Sequence, residues 1–180
     1  MNLPNKLSML RICMIPVFVI LALMSAPAAQ YAAVAVFILA SITDALDGHI
    51  ARKNGLVTNF GKFIDPIADK LLVMSAMIVL VERGRMPGWV CIVMLAREFA
   101  ISGFRLVAAG TGKVIAAGIL GKIKTVTQMI AVIALLLTAI DGAFAPLAPF
   151  ADVAMYISAA MTVWSGVDYI QKNFDCIRDM

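Results

Sequence analysis

The chain has 180 residues, 62% of them apolar and 14% charged, with a mean hydropathy of +0.95. That composition excludes a soluble globular domain and a disordered chain, and the length leaves no room for a second domain, so a single membrane domain is expected over residues 1–180. The net charge of +4 comes without an aromatic-interleaved basic patch, which points away from nucleic acid, and the scattered Cys13, Cys91 and Cys176 make neither a metal spacing nor a disulfide framework.

In chain order, residues 1–7 (MNLPNKL) read as a short interfacial segment, and a first apolar span follows at 8–24. Lys6 and Arg11, the apolar run and Ser25-Ala26-Pro27-Ala28 also have the form of a secretory signal with a small-residue cleavage site. A second span starts near Tyr31 and runs through AVAVFILASITDALDGHIARK to Lys53; Asn54-Gly55 reads as a turn, and a third span covers Gly61 to Val81. After a tight loop at 82–88, a fourth span covers Trp89–Ala109. Gly-rich residues 110–121 lead to a fifth at Ile123–Ile140, and a sixth covers Phe150–Tyr169, followed by a polar tail. The expected fold is all-α and polytopic, with six transmembrane helices of the roughly 20 residues that a ~30 Å hydrocarbon core requires.

On this reading one side of the membrane collects Lys6, Arg11, Arg52, Lys53, Lys62, Lys113, Lys122, Lys124, Lys172 and Arg178, while the other holds Arg83 and Arg85. Basic loops stay inside, so both termini and the 44–69 region are expected in the cytoplasm.

That region, DALDGHIARKNGLVTNFGKFIDPIAD, carries Asp44, Asp47, Asp65 and Asp69 between apolar segments. Carboxylates near membrane depth are costly unless paired, wet or bound to a cation. Spacings of three and four put each pair on one helix face, and two such helices side by side bring four carboxylates to one place. Hard oxygen ligands suit Mg²⁺, Mn²⁺ or Ca²⁺ rather than zinc. Gly48, Ala51 and Gly61 allow close approach, either of a neighbouring helix or of a flat ligand. Arg52 is placed either to pair with phosphate oxygens or to snorkel as an anchor.

The spacing Asp44, Asp47-Gly48, Ala51-Arg52, Gly61, Asp65, Asp69 matches without departure the signature of the CDP-alcohol phosphotransferases, and the chain resembles that family. The opening MNLPNKLSMLRICMIPVFVI, ADKLLV after the motif, ARE and SGFRL within 96–106, and GKIKT at 121–125 are most similar to bacterial members whose acceptor is sn-glycerol 3-phosphate. The likeness fades after about residue 140. It implies transfer of the phosphatidyl group of CDP-diacylglycerol to glycerol 3-phosphate, with CMP released. It also implies a divalent metal cofactor, Mg²⁺ or Mn²⁺ and two ions, and a homodimer in the bacterial inner membrane. Carried residue by residue, Asp44, Asp47, Asp65 and Asp69 are metal ligands, Asp69 also being the general base. Gly48, Ala51, Arg52 and Gly61 then bind the CDP donor.

For the acceptor phosphate the candidates are Arg105, Lys122 and Lys124, which equally fit ordinary topology anchors. Arg97-Glu98 reads as an interhelical ion-pair element, and His49 takes no role. The same reaction type with inositol phosphate, serine or phosphatidylglycerol is the nearest alternative. A cation-coupled transporter is the alternative of another class, but the aspartate pattern has no second copy in residues 90–180.

Overall fold

The computed structural model describes the backbone of residues 3–54, 59–110, 115, 118–140, 142 and 144–174; the side chains of residues 3–7, 44–54, 59–66 and of Asp69 lie outside the description. Among the described residues there is no strand. The elements are α1 (Leu3–Leu23), α2 (Pro27–Asn54), α3 (Asn59–Glu82), α4 (Gly88–Gly110), α5 (Ile119–Thr138), a 3-10 turn at Ala145–Leu147 and α6 (Ala148–Lys172). Thus the expected all-helical architecture is found, with α1 running on from residue 3 without a separate interfacial element.

The chain divides into two compact units, Met1–Arg85 with Leu136–Ala145, and Met86–Leu135 with Pro146–Met180. Residues 119–138 and 145–172 are long and apolar enough to cross a membrane, and shorter apolar stretches fill Ser8–Leu23 and Pro27–Thr43. Large apolar side chains are exposed all along the helices, among them Ile20 (63%), Ile92 (67%) and Trp164 (62%). A soluble monomer does not tolerate so much apolar surface, whereas lipid does. The chain is a membrane protein.

In the first unit α1 packs on both α2 and α3. Phe18 of α1 and Phe37 of α2 are wholly buried, with ring centroids 5.6 Å apart. Around them Ala33 and Ala40 of α2 keep the backbones close, and Ala76, Met77 and Leu80 of α3 complete the core. Without α1 this core would lie open. Ser8 and Arg11, also on α1, are buried to 1% exposure, and neither is without a partner. Arg11, counted in the sequence among the basic residues of one side, is thus buried within the helix packing.

The far end of this unit explains the two basic residues on the sparsely charged side. Helix C-termini leave carbonyls unsatisfied and carry partial negative charge. Arg83 donates from Nη2 to the Met24 carbonyl (2.8 Å) and from Nη1 to the Ala139 carbonyl (3.3 Å), tying the ends of α1 and α5. Gln30 Nε2 donates to the same Met24 carbonyl (3.0 Å), and Arg85 Nη2 to Thr138 Oγ1 (2.8 Å). These cations cap helices.

α3 itself ends in a Schellman turn, with Gly84 N–H donating to Val81 O and Arg85 N–H to Leu80 O. Gly84 has φ +66°, and a Cβ there would meet nothing within 4 Å. Gly84→Ala should therefore cost only its backbone strain, about 1 kcal/mol, visible as a Tm lowered by a few degrees in detergent. An unchanged Tm would show that this turn is not held in the folded protein.

In the second unit the side-chain pairs between α4 and α6 rise together along both helices. Trp89 stacks on Tyr156 (6.2 Å), Arg97 reaches Ser165, and Arg105 reaches Tyr169. α4 and α6 are therefore parallel. Of the cysteines, Cys13 is exposed, Cys91 is buried and both are free thiols, while Cys176 lies outside the described residues.

Candidate active site

The aspartates fall on two consecutive helices of one unit. α2 continues without a break past Asp44 and Asp47 to Asn54, and α3 begins at Asn59 ahead of Asp65 and Asp69. Each pair lies within about three turns of the connection at 55–58, so the spacings of three and four do fall within helices. Ser41 and Thr43, just ahead of Asp44, donate their hydroxyls back to Phe37 O and Ala40 O (both 2.8 Å) and so are satisfied within α2. The buried row of α2, Ala33, Phe37 and Ala40, has its next registers at positions 44 and 47. On α3 the buried row is Ala68, Leu72, Ala76 and Leu80, beginning between Asp65 and Asp69 in sequence.

The side chains of Asp44, Asp47, Asp65, Asp69, Gly48, Ala51, Arg52, Gly61 and His49 lie outside the described residues, as does the turn expected at Asn54-Gly55. As a donor set, four carboxylates on neighbouring helices fit a hard divalent cation, since oxygen-only ligation is what Mg²⁺ and Mn²⁺ select.

The second unit holds a buried charge cluster built from α4, α5 and α6. Glu98 pairs with Arg97 Nη1 (3.2 Å) and with Lys124 Nζ of α5, and Arg97 Nη2 donates to Ser165 Oγ of α6 (3.1 Å). The side chains of Arg97, Glu98 and Lys124 are 14%, 16% and 3% exposed. This is the interhelical ion-pair element expected from Arg97-Glu98, and Lys124 belongs to it. Gly166 makes room for the arginine, since a Cβ there would sit 3.1 Å from Arg97 Cγ.

The three acceptor-phosphate candidates are thus placed differently. Lys124 is buried against Glu98, while Lys122 and Arg105 are exposed. Arg105 Nε donates to Tyr169 Oη (3.0 Å), with the guanidinium carbon 5.3 Å from the ring centroid. Sequence reasoning missed Tyr169 and Ser165, because nothing in the order of residues pairs α4 with a helix some sixty positions later. The only available signal was a polar row on α6, Ser158, Thr162 and Ser165, at helical spacing in an apolar span.

Comparison with known proteins adds a second line. The family model for CDP-alcohol phosphatidyltransferase matches residues 1–164, so the likeness does not fade after about residue 140 as expected from the sequence. A Bacillus subtilis protein named CDP-diacylglycerol–glycerol-3-phosphate 3-phosphatidyltransferase is 49% identical over 98% of this chain and 97% of its own. A Rickettsia bellii protein of the same name is 39% identical over 94% of each chain. An Arabidopsis thaliana protein carrying that name with the suffix 2 is 38% identical over 95% of this chain and 79% of its own.

Proposed function

Because the chain belongs to the CDP-alcohol phosphatidyltransferase family, we propose that it transfers the phosphatidyl group of CDP-diacylglycerol to sn-glycerol 3-phosphate, giving phosphatidylglycerol phosphate and CMP. The observation that carries the acceptor is the likeness to relatives named for glycerol 3-phosphate, which extends over nearly the full length of this chain. In the reaction the acceptor hydroxyl oxygen bonds to the phosphorus that bears diacylglycerol. The bond from that phosphorus to the bridging oxygen breaks, and CMP leaves with the electron pair.

Asp44, Asp47, Asp65 and Asp69 would hold one or two divalent cations, Mg²⁺ or Mn²⁺. Bound there, such ions neutralise phosphate charge and lower the barrier to displacement. Asp69 accepts the proton of the attacking hydroxyl. Arg52 pairs with the donor's pyrophosphate through its planar fork, and Gly48, Ala51 and Gly61 leave space for the cytidine nucleotide. Arg105 and Lys122 bind the acceptor phosphate, and Lys124 joins them only by giving up Glu98. We further assign six membrane spans, a bacterial inner membrane location, a cytoplasmic active site and termini, and a homodimer. The basic residues gathered on one side and the family likeness support these assignments.

The test is CMP release by the purified protein in lipid, with glycerol 3-phosphate, serine, inositol phosphate and phosphatidylglycerol offered separately. Release is expected with glycerol 3-phosphate alone, abolished by EDTA and restored by Mg²⁺ or Mn²⁺. Release with another alcohol would move the acceptor, and undiminished release in EDTA would remove the metal from the assignment.

A further inference from the structure

Arginine offers five N–H donors in a rigid fork, and how it recognises phosphate depends on which of them are already committed. At Arg105 the commitment is specific. Its Nε donates to Tyr169 Oη (3.0 Å), and its guanidinium carbon lies 5.3 Å from the Tyr169 ring centroid, within reach of the ring's quadrupole. Among the described residues neither Nη group takes a partner. Tyr169 is itself fixed: it is 7% exposed, and Phe104 meets its ring edge-on at 5.8 Å and 81°. An exposed arginine on α4 is thus held by one atom against a buried, braced phenol on α6, with its two-pronged end uncommitted.

We propose that Tyr169 is a positioning residue for Arg105, pre-orienting the guanidinium so that both Nη groups are available to the acceptor phosphate. The inference rests on the assignment of Arg105 to that phosphate. Tyr169 lies beyond residues 1–164, where the family model matches. Pre-orientation removes the ordering that a long side chain otherwise undergoes on binding, and its loss appears in acceptor affinity.

The test is steady-state CMP release by the full chain in lipid, with each substrate varied in turn. Tyr169→Phe keeps the ring and removes the hydrogen bond. It should raise KM for glycerol 3-phosphate about tenfold or more, from the lower end of what a hydrogen bond to a charged group contributes. Within about twofold, kcat and KM for CDP-diacylglycerol should stay unchanged. In an Arg105→Ala background the same substitution should add nothing, because its effect passes through the guanidinium. An unchanged KM for glycerol 3-phosphate, equal losses for both substrates, or an additive effect in the Arg105→Ala background would overturn the proposal. Should Tyr169→Phe fail to fold, Phe104→Leu, which removes the brace on the ring, takes its place with the same criteria. A wild-type protein inactive with glycerol 3-phosphate would instead refute the reaction assigned above.

Discussion

Asp69→Asn should lower CMP release by about a thousandfold. The substitution is nearly isosteric, so α3 remains helical, but the amide cannot accept the acceptor's proton and contributes no charge to a cation. Loss of a positioned general base alone removes a factor of about 10² to 10⁴. Purified wild-type and variant proteins, compared at saturating CDP-diacylglycerol and glycerol 3-phosphate, give the measurement. Asp152→Asn, an exposed carboxylate on α6 outside the motif, serves as the control and should retain full activity. A folded Asp69→Asn variant within tenfold of wild type would remove Asp69 from the role of base.

Glu98→Ala should be the most destabilising single change in the second unit. It strips the carboxylate from Lys124, whose side chain is 3% exposed, and from Arg97, at 14%. Breaking one side of a buried pair leaves an uncompensated charge and costs about 3–5 kcal/mol. For a chain of this size that corresponds to a Tm lowered by roughly 10 °C or more. Thermal unfolding in detergent would show it, and a shift below about 2 °C would mean that the cluster is not a structural element. The pair Glu98→Gln with Lys124→Met should recover part of the loss, since the lysine charge goes with the carboxylate while Arg97 keeps its bond to Ser165. KM for glycerol 3-phosphate in that double variant separates two roles for Lys124: unchanged if the lysine serves only the cluster, raised if it also meets the acceptor.

Where the helix limits differ from those read in the sequence, the reason is the same at several places. Pro27 reads as part of a small-residue cleavage pattern and Pro149 as a turn residue, and the expected starts of the second and sixth spans lie later, at Tyr31 and Phe150. In the structure α2 begins at Pro27 and α6 at Ala148, and α1 has Pro4 in its first turn. Proline is well suited to that turn because its missing N–H would have no intrahelical partner there. At α5 the Gly-rich approach conceals an early start. The helix begins at Ile119, with Lys122 N–H donating to Gly118 O, so Lys122 stands on its first turn and not ahead of it.

The order of residues by itself determined the helices and the membrane class, and it placed the motif's carboxylates on helices. Apolar runs of helical length have no other stable form in lipid, and carboxylates at spacings of three and four share a face of any helix that carries them. Tertiary structure alone decided which cations are committed. Arg83 and Arg85 look like loop charges, yet they satisfy carbonyls and a hydroxyl at helix ends up to 59 residues away in sequence. Lys122 and Lys124 look equivalent, yet one is exposed and the other buried against Glu98. Arg105 is distinguished only by a tyrosine 64 residues later, brought alongside because α4 and α6 run parallel. A charge on a membrane helix has a local address in sequence, but its partner is chosen by packing, which depends on contacts between residues distant along the chain.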